Sequence, residues 1–232
     1  MNLQNVNMVG KIVVPITASN VEQALKDIAM ANREADLIEL RLDFLRDLSG
    51  AVLKQLMEAC KKPVIVAFRN QNFGASTKPE KRFSMLKKAI EFGAGFVDID
   101  FEKDNEFAGQ ILPEKGKTKV ILSFHDFEKT PAKKELLRLF KSMASVKGVD
   151  AIKIVTFANS KEDNGKVLSL IPVAKQLDKP IIAFCMGEKG KQSRIQSMKK
   201  GSMLGFAALS IEKVSAEGQF GCQEFKRLVK ND

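Results

Sequence analysis

Short apolar runs rich in β-branched residues alternate along the whole chain with stretches whose apolar residues recur at helical spacing. Residues 20–33 are one such helical stretch, with an N-cap predicted at Ser19 or Asn20. Eight runs are predicted to be β-strands: 11–17, 37–43, 63–69, 95–100, 119–125, 151–157, 180–186 and 207–213. Strands that alternate with helices are typical of an α/β protein with a parallel sheet.

Eight such units can form a closed barrel or an open doubly wound sheet. The dinucleotide-binding fingerprint is absent, because Gly93 and Gly95 precede a strand instead of opening a helix. Polar residues such as Arg41, Arg69 and His125 end nearly all the runs, and a barrel collects these ends at one face. We therefore expect one (β/α)8 TIM barrel domain over residues 1–232, with residues 1–10 as a short N-terminal extension.

Composition narrows the functional classes. With 44% hydrophobic and 28% charged residues, the chain can bury a full core. Residues 1–10 lack the layout of a signal peptide, and no apolar run reaches the length of a membrane helix. Cys60, Cys185 and Cys222 lack metal-site spacing, and the chain has one histidine. We expect a soluble cytoplasmic protein with reduced thiols, no metal and no membrane partner.

The net charge of +10 raises the question of nucleic-acid binding. The lysines are spread along most of the chain, and no run of aromatic residues is interleaved with arginine. A positive field also suits a small anionic substrate. The sequence therefore predicts a small anionic substrate and does not favour a nucleic-acid partner.

Lys153 is unusual because it lies inside the apolar run AIKIVTF. A lysine there could point outward from the sheet, as long side chains often do. Inside a barrel, however, burial favours the neutral amine, which can attack a carbonyl and form a Schiff base. We predict that Lys153 is a catalytic nucleophile.

His125 is the only histidine, and it ends the strand that precedes the Lys153 strand. A lone histidine is often structural, but this one can share a mouth with Lys153 and move protons near neutral pH. Cations and carboxylates at other strand ends would complete a pocket for a hydroxylated carboxylic acid. The candidates are Glu39, Arg41 and Arg69 at earlier strand ends, each of which could instead form a salt bridge at the barrel rim. Arg194, with Ser215 and Gln219 in the loop after the last strand, could supply a carboxylate clamp.

These residues carry a family resemblance. Six motifs occur in this order along the chain: ELRLD (39–43), FR (68–69), SFHDF (123–127), the lysine of AIKIV (151–155), MG with SR (186–187, 193–194) and SAEGQ (215–219). Together they resemble type I 3-dehydroquinate dehydratase, a Schiff-base enzyme of the shikimate pathway, over nearly the whole chain.

The resemblance implies that Lys153 condenses with the C3 ketone of 3-dehydroquinate. His125 would remove the C2 proton and protonate the leaving C1 hydroxyl. Arg194, Ser215 and Gln219 would hold the carboxylate, whereas Glu39, Arg41 and Arg69 would hold the ring hydroxyls. The product would be 3-dehydroshikimate, formed without a cofactor. Homodimers are common in the family, but the sequence alone does not determine the oligomeric state.

The chain departs from the family pattern at two places. Phe73 stands where the family has a glutamate that is bonded to the histidine, so we expect a lower histidine pKa unless Asp98 or Asp126 takes over the orienting role. Glu217 replaces the proline of the closing loop, which removes a rigid turn residue and adds a negative charge near the carboxylate site.

Three alternatives stay open at this point. A class I aldolase would also use a lysine imine in a barrel but would cleave its substrate. A non-enzymatic basic barrel would bind anionic ligands or RNA with a steep salt dependence. A degenerate relative would bind shikimate-type acids and turn them over slowly.

Overall fold

The computed structural model describes residues 10–69 and 78–230, with the side chains of 105, 106 and 211 excepted. Eight strands occur in these ranges: β1 Lys11–Ile16, β2 Leu37–Arg41, β3 Val64–Ala67, β4 Phe96–Asp100, β5 Lys119–His125, β6 Ala151–Phe157, β7 Ile181–Met186 and β8 Leu204–Phe206. All strand pairs are parallel, in the order β7-β6-β5-β4-β3-β2-β1-β8. Met203 N also donates to Ile181 O at 2.8 Å, so the sheet is a nearly closed barrel. The predicted (β/α)8 fold is confirmed.

Helices connect successive strands and cover the outside of the barrel. They are α1 Val21–Glu34, α2 Gly50–Ala59, α3 Pro79–Glu91, α4 Asn105–Glu114, α5 Lys133–Ala144, α6 Glu162–Leu168, α7 Leu170–Gln176, α8 Lys191–Lys199 and α9 Cys222–Lys230. Asn20 is the N-cap of α1, because its side chain accepts a hydrogen bond from Gln23 N. No helix within the described ranges is long and apolar enough to cross a membrane.

The eighth strand lies earlier than predicted. The sequence indicated 207–213, whereas β8 is Leu204–Phe206 and Ile211–Lys213 forms a 3-10 turn. The run of β-branched and apolar residues that indicates a strand is interrupted here by Gly205, because glycine has low strand propensity. The apolar run that follows turns away from the sheet, and Lys213 forms an ion pair with Asp27 of α1.

Side chains fill the barrel interior in layers, because alternate residues of each strand point inward. An apolar cluster in the interior, called the apolar layer below, includes one residue from every strand, staggered by the tilt of the strands: Val13, Leu37, Ile65, Phe96, Ile121, Ala151, Ile182 and Leu204. Two residues further along, several strands change to polar side chains, namely Glu39, Asp98, Ser123 and Lys153. The apolar layer therefore forms the floor beneath a polar layer that faces the C-terminal end of the barrel.

The close packing of α8 and α9 on β8 yields a stability prediction. A Cβ on Gly205 would lie 2.6 Å from both Met198 Sδ of α8 and Phe225 Cε1 of α9. We expect Gly205→Ala to lower the free energy of unfolding by about 1–3 kcal/mol, because a packed core resists an added methyl group. Gly109 of α4 has open space around it, so Gly109→Ala should raise this free energy by roughly 0.5–1 kcal/mol. Urea denaturation measures both, and a stabilising Gly205→Ala would contradict the packing.

Candidate active site

A pocket opens where the strands reach the C-terminal face of the barrel. All eight residues that the sequence singled out line it: Glu39, Arg41, Arg69, His125, Lys153, Arg194, Ser215 and Gln219. Other residues that line the pocket are Asp100, Lys103, Phe127, Val155, Phe184, Met186, Phe206 and Ala216. The fold thus brings together candidates that are up to 180 residues apart in the chain.

Lys153 points into the barrel and is buried. Its Nζ lies 3.2 Å from Asp98 Oδ2 and 3.5 Å from Glu39 Oε1. The same Nζ lies 4.0 Å from the centroid of the Phe206 ring, within the range of a cation–π contact. The outward orientation is therefore wrong, and the ammonium is compensated by two carboxylates instead of being left unpaired in the barrel.

Asp98 connects the lysine to the polar residues of neighbouring strands. Arg69 Nη2 donates to Asp98 Oδ2 at 2.6 Å, and Ser123 Oγ donates to Asp98 Oδ1 at 2.6 Å. Burial opposes ionisation of this carboxyl, but the charges of Arg69 and Lys153 and the hydrogen bonds hold the pKa of Asp98 below its ordinary value. Asp98 is thus a buried anion that fixes the Lys153 side chain.

Sequence reasoning noted Asp98 at a strand end but did not include it, or Ser123, among the site residues. The signal that could have found them is the alternation along the strands. Asp98 follows the floor residue Phe96 by two positions, and Ser123 follows Ile121 in the same way.

His125 lies at the end of β5, half-buried, with its ring stacked on Phe127 at a centroid distance of 5.9 Å. Its Nδ1 is buried without a hydrogen-bond partner in the part of the chain that the structure describes. The pKa of His125 is well below its ordinary value, first because of burial and then because of the nearby cations Arg69, Lys153, Arg41 and Lys103. The ring is therefore neutral near pH 7 and can accept a proton.

Neither carboxylate proposed as a substitute orients this ring. Asp126 Oδ1 accepts hydrogen bonds from the backbone N–H groups of Glu128 and Lys129, and Asp98 is bonded as described above. Phe73, to which we attributed a lowering of the histidine pKa, lies outside the described residues. Burial and the nearby cations account for the lowering here.

Arg41 and Arg69 are both held by carboxylates. Arg41 donates to Asp43 through Nε at 3.0 Å and Nη2 at 2.8 Å, and Arg69 bonds Asp98 and Ser123. These contacts fix the two guanidinium groups at the pocket wall, so each is positioned before any ligand enters.

Arg194 differs from the other two arginines. It is buried on α8, with its guanidinium carbon 4.5 Å from the centroid of the Phe184 ring, and Nη2 donates to the backbone oxygen of Glu217 at 3.3 Å. Its Nε has no hydrogen-bond partner within the described ranges, and no carboxylate there pairs with it. Burial lowers the pKa of Arg194 to about 10, so it is still charged near pH 7. A buried cation of this kind is suited to bind an anion.

The loop that follows β8 covers one side of the pocket. The N–H and Oγ of Ser215 donate to Gln219 Oε1 at 2.7 and 3.1 Å, and Gly187 N donates to Glu217 O at 3.2 Å. Glu217 thus contributes its backbone carbonyl, while its side chain is exposed and does not line the pocket. Glu217, which stands where the sequence analysis expected a proline, keeps the loop bonded to Arg194 through its backbone oxygen.

Among the residues that the structure describes, no group of three or more His, Cys, Asp or Glu side chains is arranged to hold a metal ion. The chemistry that this pocket offers is that of a buried lysine, a neutral histidine and a buried arginine.

Comparison with known protein sequences points to one family. The model of the type I 3-dehydroquinase family matches residues 12–231. The 3-dehydroquinate dehydratase of Methanocaldococcus jannaschii is 38% identical over 221 residues, which cover 94% of this chain and 96% of that protein. The enzyme of the same name from Pyrococcus abyssi is 34% identical over 221 residues, which cover 94% of this chain and 97% of that protein.

Solved structures agree with the sequence matches. The type I 3-dehydroquinate dehydratase of Clostridium difficile superimposes with a TM-score of 0.83 at 25% identity, over 94% of this chain and 90% of that one. The 3-dehydroquinate dehydratase of Enterococcus faecalis gives a TM-score of 0.79 at 26% identity, over 95% and 92% of the two chains. Because the family model spans almost the entire sequence and the fold is shared, the chain belongs to the type I 3-dehydroquinase family.

Proposed function

We propose that this chain dehydrates 3-dehydroquinate to 3-dehydroshikimate through an imine on Lys153, with His125 as the general acid and base. The observation that carries the proposal is one pocket that contains a buried lysine, a histidine of lowered pKa and a buried arginine that no carboxylate of the described residues pairs with. A cytoplasmic location, a homodimer and the absence of nucleic-acid binding stay predictions.

Imine formation begins at Lys153. Its amine, once it has lost a proton, attacks the C3 ketone, and loss of water from the carbinolamine leaves an iminium. Asp98 and Glu39 hold the Nζ on the pocket side of the barrel floor, which restricts the direction of attack. The iminium withdraws electrons from the neighbouring C2 position and so makes its proton acidic.

His125 then moves the protons. The neutral ring accepts the C2 proton, and the electron pair of the C–H bond forms an enamine. The imidazolium returns this proton to the C1 hydroxyl, which leaves as water. Hydrolysis of the conjugated iminium releases 3-dehydroshikimate and restores Lys153. The lowered pKa of His125 supports this role, because the ring begins the cycle unprotonated.

The substrate carboxylate would pair with Arg194. That guanidinium is buried, charged near pH 7 and not paired with a carboxylate in the described residues, and Ser215 and Gln219 lie on the adjacent loop. Glu39, Arg41 and Arg69 form the wall that would face the ring hydroxyls. In this arrangement C3 would face Lys153, while the carboxylate on C1, two ring positions away, would face Arg194.

Borohydride trapping tests the imine. When borohydride is added with 3-dehydroquinate, the enzyme should lose activity and carry a reduced adduct on Lys153, because the iminium is the species that borohydride reduces. Peptide mass spectrometry locates the adduct. Lys119→Ala, which alters a lysine at the start of β5 outside the pocket, should still be labelled, whereas Lys153→Ala should not. Turnover by Lys153→Ala, cleavage of the substrate, or an adduct on another lysine would refute the mechanism.

Removal of the histidine tests proton transfer. His125→Ala should lower kcat by on the order of 10²–10⁴-fold, because one ring serves several proton transfers. Imine trapping should persist in this variant, which separates the two roles. Absorbance of the conjugated enone product measures the rate. Turnover within a few-fold of the wild type would contradict the assignment.

The pH profile of the wild type checks the same assignment. Since burial and cations lower the histidine pKa, the base stays neutral as the pH falls through the ordinary histidine range. The acidic limb of kcat/KM, which reports protonation of the base in the free enzyme, should therefore lie below pH 6.5. An acidic limb centred at or above pH 6.5 would show that the pKa of His125 is not lowered.

Arg194 variants test the carboxylate site. Arg194→Lys keeps the charge but loses the planar fork, so kcat/KM should fall by about 10-fold, and Arg194→Ala should lose on the order of 100-fold. The exposed Arg138→Lys serves as the control and should leave the kinetics unchanged. Unaltered kinetics in both Arg194 variants would move the carboxylate site elsewhere, with Arg41 as the next candidate.

A further inference from the structure

Lys103 is a pocket residue to which neither the family pattern nor the proposed mechanism gives a role. It lies in the turn between β4 and α4 and lines the mouth of the pocket. Asp100 Oδ1 accepts hydrogen bonds from the backbone N–H groups of Glu102 and Lys103, both at 3.1 Å. This carboxylate fixes the turn, so the backbone of Lys103 is held beside the entrance while its side chain is exposed.

The other cations on this side of the pocket have carboxylate partners. Arg41 pairs with Asp43, and Arg69 and Lys153 share Asp98. The Lys103 ammonium, in contrast, forms no hydrogen bond or ion pair with any described residue. Its charge is therefore available to a ligand.

Ion pairs offset the other cations at the ends of β2 to β6. Arg41 lies beside Asp43, Arg69 beside Asp98 and Asp100, and Lys153 beside Asp98 and Glu39. Lys103 has no such ion pair among the described residues, so its field is not offset by a bonded carboxylate. The charge of Lys103 also reaches the interior, since it contributes to lowering the pKa of His125, after burial and the larger effects of Arg69, Lys153 and Arg41.

We propose that Lys103 is a substrate-recognition residue that attracts the carboxylate of the incoming substrate to the pocket mouth, before Arg194 binds it. This inference rests on the proposed function, since 3-dehydroquinate is an anion. Without Lys103, the cations that line this side of the pocket would all be paired with carboxylates, and the attraction for that anion would weaken. Lys103 takes part in no proton transfer, so its contribution is to capture and not to the chemical step.

Three variants and a salt series test the role. Lys103→Gln removes the charge, Lys103→Arg keeps it, and Lys129→Gln removes the same charge from a neighbouring exposed residue that does not line the pocket. At about 20 mM salt, kcat/KM of Lys103→Gln should fall about three- to tenfold, with kcat within about twofold of the wild type. The difference should shrink at about 300 mM salt, because salt screens exposed charges.

The control variants separate an effect of the charge at position 103 from a general effect of removing a surface charge. Lys103→Arg should retain wild-type kcat/KM at every salt concentration, and Lys129→Gln should behave as the wild type. The inference is overturned if Lys103→Gln follows the wild-type salt series, if Lys129→Gln loses as much, or if kcat falls in parallel with kcat/KM. A wild-type enzyme that does not convert 3-dehydroquinate would instead refute the proposed function, which is a separate result.

Discussion

A charged lysine inside a barrel of parallel strands requires carboxylates around it, because neither the apolar floor nor the helices can solvate an ammonium group. Asp98 and Glu39 meet this requirement in the second layer of the barrel. Asp98 is buried as well and in turn needs Arg69 and Ser123. The polar residues at the C-terminal face therefore follow from one another, beginning with Lys153.

The same cluster controls the proton chemistry. Cations that stabilise Asp98 as an anion also disfavour a positive charge on His125, which lacks a carboxylate bonded to its buried Nδ1 within the described residues. A neutral base and a compensated ammonium can thus occupy one pocket. Phe73, at the position where the sequence departs from the family pattern, lies outside the described residues, so its effect on the pKa of His125 stays a prediction.

The anion binding that we propose is divided between two sides of the pocket. Arg194 is buried on α8 and contacts the loop after β8 through the backbone carbonyl of Glu217, so the residue type at 217 matters little for this contact. Lys103 lies exposed after β4, lines the pocket and has no ion pair among the described residues. The two cations would act in different ways. Burial strengthens the interaction of Arg194 with a bound carboxylate, whereas Lys103 would attract the anion through a field that salt screens.

The sequence by itself determined the barrel, seven of the eight strands and the eight pocket residues, because strand periodicity and polar strand ends are local signals that a parallel barrel converts into one face. The tertiary structure alone decided three things. β8 starts at Leu204 because Gly205 lets α8 and α9 pack closely, which no local pattern reveals. Asp98 and Ser123 meet Lys153 only through the register of neighbouring strands. The lowered pKa of His125 arises from burial and from cations on four other segments, and charges so distant in sequence act together only after the chain has folded.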